Sequence, residues 1–147
     1  MKKIIIFVGL ALFFGLVVLL AACTSGTTPT AENPIQGKVI KSGPIDKLTV
    51  TLSSDTGKLK NGAQEIMLAF TDASGKPIDV GAASLNFSMP AMGSMAAMND
   101  AATLTTTGTP GVYRGNVKIG MPGEWQAQIS YEGTAGKGKT SIPVTAQ

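Results

Sequence analysis

Histidine is absent from this 147-residue chain. Its absence removes Ser-His-Asp catalysis, histidine-held zinc and the side chain most often used as a general base near neutral pH. Cysteine occurs once, at Cys23, so the chain has no internal disulfide and no paired-thiolate metal site. Charged residues make up only 14%, and no Asp, Glu or Lys constellation stands at a spacing suited to acid–base work. The chain is therefore not expected to be an enzyme. Its basic residues form no stripe interleaved with aromatics, which argues against a nucleic-acid partner. Beyond the N-terminal apolar run no segment sustains a 3.6-residue period, so helices are not expected.

What is present begins with location. Lys2 and Lys3 precede an apolar run of 17 residues, Ile4 to Leu20, the layout of a secretory signal. The run sits at the short edge for a spanning helix, so an uncleaved anchor is the competing reading. Leu20-Ala21-Ala22-Cys23 resembles the lipobox of bacterial lipoproteins, which implies cleavage before Cys23 and acylation of its thiol. Two or three acyl chains anchor stably, at about 0.8 kcal/mol per buried methylene. Three parts are expected: a lipoprotein signal peptide at 1–22, a flexible tether at 23–34 and a single domain at 35–147. Without Lys2 and Lys3 the remainder carries ten basic and nine acidic side chains, close to neutrality.

From Ile35 onward the patterning has period two. Leu48, Val50 and Leu52 alternate with threonines; Ile66, Leu68 and Phe70 recur at every second position in the next apolar run, as do Leu85, Phe87 and Met89. Tyr113, Val117, Ile119 and Met121 share one parity; so do Trp125, Ala127, Ile129 and Tyr131; Ile142 and Val144 follow. Such patterning marks half-buried strands, with turn-forming clusters such as DASGKP and EGTAGKG between them. The fold expected is all-β, a single immunoglobulin-like antiparallel sandwich of about seven strands, with a small barrel as the competitor. Residues 133–140, GTAGKGKT, satisfy the phosphate-loop pattern from Gly133 to Thr140. A working phosphate loop needs a helix after it, and SIPVTAQ supplies none. A hairpin loop is expected there, and no nucleotide.

Four of the seven methionines fall at Met89, Met92, Met95 and Met98, within SMPAMGSMAAMN. Polyproline II would space them about 9 Å apart, too far to share an ion. A 3₁₀ turn would bring neighbours to roughly 6 Å, and Gly93 permits a tighter fold-back. Thioethers are soft, neutral ligands matched to Cu(I) and Ag(I). Trp125 could rest a ring face on such a cation, although its parity places it in the core.

The combination of "DASGKPI", "LNFSMPAMGSM" and "GVYRGNVKIGMPGEWQAQISYE" resembles the YtkA-like domain, related to FixH-type proteins, over roughly residues 45 to 145. The resemblance implies a compact β-sandwich outside the cytoplasm, often lipid-anchored or fused to metal-efflux adaptors. It also implies roles in copper delivery or resistance, or in respiratory-oxidase assembly. Met89, Met92 and Met121 fall on its shared motif, and Met95 and Met98 on a looser Met/His-rich stretch. Where many relatives place a histidine this chain has none, which points to Cu(I) rather than Cu(II).

The expectation is thus a lipid-anchored extracytoplasmic protein, on the outer face of the cell membrane or in the outer membrane. It holds Cu(I) or Ag(I) through Met89, Met92, Met121, Met95 and Met98, as carrier, scavenger or assembly factor. A copper-efflux or respiratory-oxidase protein would be its partner. The alternative is an accessory sandwich without metal whose methionine loop docks a membrane or cell-surface complex. For the anchor, Cys23→Ala is expected to abolish incorporation of labelled palmitate and to release the domain from the membrane fraction.

Overall fold

A computed structural model describes residues 35–147; Cys23 and the expected leader and tether lie outside the described residues. The alternating runs form β2 (Leu48–Ser54), β3 (Gly62–Thr71), β4 (Ala82–Met89), β7 (Val112–Ile119), β8 (Gly123–Gly133) and β9 (Gly136–Ala146). Three further strands, β1 (Lys38–Ile45), β5 (Met98–Ala101) and β6 (Thr103–Thr106), carry little apolar alternation. All strands pair antiparallel in two sheets, ordered β1-β2-β3-β7-β6 and β5-β4-β8-β9. The sandwich is as expected, with nine strands in place of about seven. The three strands without that alternation are all sheet edges. An edge strand offers the core only a small part of one face, so its sequence need not alternate.

The inner faces meet in one buried cluster that includes Ile66, Leu68 and Phe70 of β3, Leu85, Phe87 and Met89 of β4, and Trp125, Ala127, Ile129 and Tyr131 of β8. Burying each large apolar side chain contributes about 1.5–3 kcal/mol. The Phe70 ring stands edge-on to Tyr113 at 5.9 Å and to Tyr131 at 5.6 Å. A smaller cluster of Met67, Ala69 and Val112, with Ile35 packed on it, covers part of the outer face of the five-stranded sheet. Ser53 Oγ donates to the Gln36 carbonyl at 2.9 Å and fixes the segment at Ile35 and Gln36 over that face.

The two sides of the sandwich close differently. On one side the chain leaves β5, passes through Ala102 and enters β6 in the other sheet, with the Ala102 N–H donating to the Leu85 carbonyl at 2.9 Å. On the other, β1 and β9 approach through glycines. A Cβ at Gly43 would sit 2.9 Å from Ile142 Cδ1, and one at Gly138 3.2 Å from Ile45 Cγ1. Gly133 pairs with Gly136 across Thr134-Ala135, so residues 133–140 are a hairpin, with Gly138, Lys139 and Thr140 inside β9.

The two core tyrosines differ in one respect. Tyr113 donates its hydroxyl to the Gly81 carbonyl at 2.6 Å, whereas the buried Tyr131 hydroxyl has no hydrogen-bond partner. Burial, and after it the Asp79 carboxylate, raises the Tyr113 pKa above its ordinary 10.0. A raised folded-state value favours the protonated form, so this stability is full below pH 10 and is lost as pH rises through the raised value. Tyr113→Phe is expected to cost about 1 kcal/mol in urea unfolding and to lessen the loss of stability above pH 10. Tyr131→Phe is expected to be neutral or stabilising, since it removes a buried hydroxyl that bonds to nothing.

Candidate functional site

The methionine segment is a β-hairpin. Met89 pairs with Met98 in the β4–β5 register. Met92 pairs with Met95 through reciprocal backbone bonds, Met92 N to Met95 O at 3.1 Å and Met95 N to Met92 O at 2.9 Å. Gly93-Ser94 forms the tip. Gly93 has φ +58°, and Ser94 is not among the residues with positive φ, the pattern of a type II′ turn that suits strand twist. Pro90 cannot donate to a ladder and stands where β4 ends. The recurrence of methionine at every third position is therefore a mirror about the tip, and each methionine meets another across the ribbon. The chain winds neither as polyproline nor as 3₁₀ here; it folds back at Gly93.

Exposure separates the two pairs. Met89 is 2% exposed and packs in the core, with Met98 half-buried against it. At the tip Met92 is 52% and Met95 41% exposed. Of the large apolar side chains among the described residues, only Val39 is comparably open.

Met121 joins the inner pair. Its place differs from the expected last inward position of a strand: β7 ends at Ile119, and Met121 lies in the turn before β8, half-buried against the core. Trp125 shapes that turn. Its ring is fully buried, and its Nε1–H donates to the Met121 carbonyl at 3.1 Å. A cation could reach the ring face only by entering the core, so bracing the turn is the role the geometry displays for Trp125.

The inner pair reaches the same turn from the hairpin. A Cβ at Gly120 would lie 2.6 Å from the Met98 methyl carbon, and one at Gly123 would lie 3.0 Å from that of Met89. Glycine at these two positions makes room for both methionine tips. Asp100 ties the elements together, its Oδ2 accepting the Gly120 N–H at 2.9 Å.

The tips of Met89 and Met98 thus reach the turn that bears Met121, while Met92 and Met95 form a second pair at the hairpin tip. Met98, and not Met92, is the methionine that pairs with Met89 at that turn. Among the described residues no three His, Cys, Asp or Glu side chains gather as a metal site, so the thioethers are the ligand type on offer here. Three neutral sulfurs fit a soft monovalent cation and suit zinc, magnesium or calcium poorly. A shallow groove lined by Ser84, Ser130, Lys137 and Lys139 lies at the other end of β4 and β8 and takes no part in this grouping.

Sequence reasoning passed over Gly120 and Asp100, and saw Gly123 only as part of the Met121-Pro122-Gly123-x-Trp125 motif. The near-palindrome M-PA-M-GS-M-AA-M was the available signal for the hairpin. Asp100 had no comparable signal, because its partner is a backbone N–H twenty residues away.

The fold and the pole define a small β-sandwich domain whose one distinctive chemical feature is clustered methionine. Residues 44–130 match the YtkA-like family, and the chain belongs to it. Among curated proteins and solved structures, none matches the chain. The matched span ends inside β8, so β9 lies beyond it.

Sulfur exposure sets an order of oxidation. Mild hydrogen peroxide followed by peptide mapping is expected to give sulfoxide first at Met92 and Met95, then at Met98 and Met121, and last at Met89.

Proposed function

We propose that this protein is a lipid-anchored extracytoplasmic carrier, scavenger or assembly factor for Cu(I), related to FixH-type proteins, which holds the ion through methionine thioethers. The observation that carries the reading is the closure of the Met89–Met98 pair on the turn bearing Met121. An apolar core needs no such gathering of one residue type. Leucine would fill the same volume with better-defined rotamers, whereas methionine adds a polarisable sulfur. The missing Cβ atoms at Gly120 and Gly123 leave space that the two methionine tips enter.

The chemistry suits transport rather than permanent storage. Thioethers are neutral and unprotonated near neutral pH, so binding releases no proton from the sulfur. Without thiolate the ion is exchangeable. The tip pair, Met92 and Met95, offers two half-open sulfurs on the solvent side, where an ion can be taken up or passed on.

A second reading draws on that exposure. Two large apolar side chains on an uncharged hairpin tip also suit docking of a membrane-bound partner without any metal, because methionine surfaces adapt readily to a neighbour.

Anaerobic Cu(I) titration of the full chain in detergent, against a competing chelator, separates the two. Metal binding predicts stoichiometric uptake with affinity flat between about pH 5.5 and 8. It also predicts loss of uptake in Met89→Leu/Met98→Leu/Met121→Leu, a swap costing under about 1.5 kcal/mol of stability per site. Met92→Leu/Met95→Leu is expected to retain uptake with slower exchange. Unchanged chelator competition in the inner triple variant rejects the coordination reading and leaves the docking one.

A further inference from the structure

We infer that Asp100 is the counter-charge of the methionine pole, held in place by the Gly120 N–H, and that it makes the pole selective for a singly charged soft cation. The inference rests on the metal reading above and adds a residue outside the sulfur set.

Three observations carry it. The Asp100 carboxylate is directed at the pole: its Oδ2 accepts the Gly120 N–H at 2.9 Å. A Cβ placed on Gly120 would meet Asp100 Oδ2 at 3.5 Å and the Met98 methyl carbon at 2.6 Å, so carboxylate and thioether arm converge on one spot beside Met121. Asp100 and Met98 share a parity on β5 and are both half-buried, while Asn99 and Ala101 between and beyond them are exposed.

The third observation is the lack of a cation. The ion pairs among the described residues are Lys60–Asp55 and Arg114–Glu65, and neither involves Asp100. The carboxylate, whose bond to Gly120 lies at the surface, thus carries a negative charge with no ion-pair partner beside the Met98 tip. A monovalent cation among the sulfurs would be balanced by that charge. Three neutral thioethers and one carboxylate then enclose zero net charge, whereas a divalent ion would leave one positive charge uncompensated.

The arrangement also explains why the carboxylate need not bind the metal directly. A soft ion prefers sulfur to carboxylate oxygen, and the bond to Gly120 holds Oδ2 at the turn. Asp100 acts through space on the ion and through Gly120 on the geometry of the Met121 turn. It is a positioning and charge-balancing residue.

The test uses Ag(I), which mimics Cu(I) without redox chemistry, on the full chain in detergent. Asp100→Asn keeps an Oδ1 that accepts the Gly120 N–H and removes only the charge. At low salt this variant is expected to bind Ag(I) roughly tenfold more weakly than the unaltered chain, the scale of one charge acting over several ångströms at intermediate dielectric. The difference should shrink at high salt if the site is solvent-connected. X-ray absorption of the bound ion is expected to show sulfur-only coordination in both proteins. Asp55→Asn, which removes the same charge from the surface pair with Lys60, is expected to leave affinity unchanged. Equal affinity of the unaltered chain and Asp100→Asn overturns the counter-charge role while leaving the metal reading intact. Weak binding by Asp100→Ala with normal binding by Asp100→Asn also overturns it, because the residue would then serve only as a clamp. If the unaltered chain itself takes up no Ag(I), both readings fall together.

Discussion

The indole of Trp125 has no route to water, yet its N–H must have an acceptor. It finds the carbonyl of Met121, four residues back. That one bond organises the pole. It holds the β7–β8 turn over the end of the core, it holds Met121 half in and half out of the sandwich, and it sets Gly120 and Gly123 where two methionine tips pass. Without a buried donor at 125 the turn could relax outward, and the hairpin carrying Met89 and Met98 would have nothing to close against. The Asp100–Gly120 bond secures the same turn from the opposite sheet edge. The turn is thus braced from beneath by an aromatic ring and from the side by a carboxylate.

How much of this was legible in the chain depends on how each piece is stabilised. The five central strands and β9 could be read because burial on one face forces alternation, and Leu52, Phe70, Phe87 and Ile129 obey it. The other three edge strands could not. β1 is largely exposed along its length, and β5 and β6 hold four residues each, so backbone pairing rather than side-chain burial defines them. Met67 and Ala69 are buried on the outer face of β3 because Val112 and the segment at Ile35 cover them. Period-two reading assigns that face to solvent and has no means of seeing a cover that comes from elsewhere in the chain.

The methionine pole was legible as a set of residues and not as a grouping. Parity correctly placed Met89 inward at the end of its strand. It carried the strand two residues too far, to Met121, because β7 stops at Ile119 and the turn begins before the apolar parity ends. Spacing by three invited helical winding of one kind or another, since helices are the usual reason for such a period. A ribbon that folds on itself produces the same spacing through reflection. The partners across the fold, 89 with 98 and 92 with 95, were open to recognition from the near-palindrome around Gly93-Ser94, whereas the long-range contacts of Gly120 and Gly123 depend on tertiary placement.

The reflected arrangement constrains how this loop can change over evolutionary time. Each sulfur on one arm has its counterpart at an equal count from the tip on the other. Losing or gaining one residue between the couples on a single arm would offset the outer couple and turn the following strand's side chains to the wrong face. Length variation here is therefore tolerated in matched steps, one residue on either side of the bend, while substitutions at the tip itself need only preserve a backbone able to reverse direction.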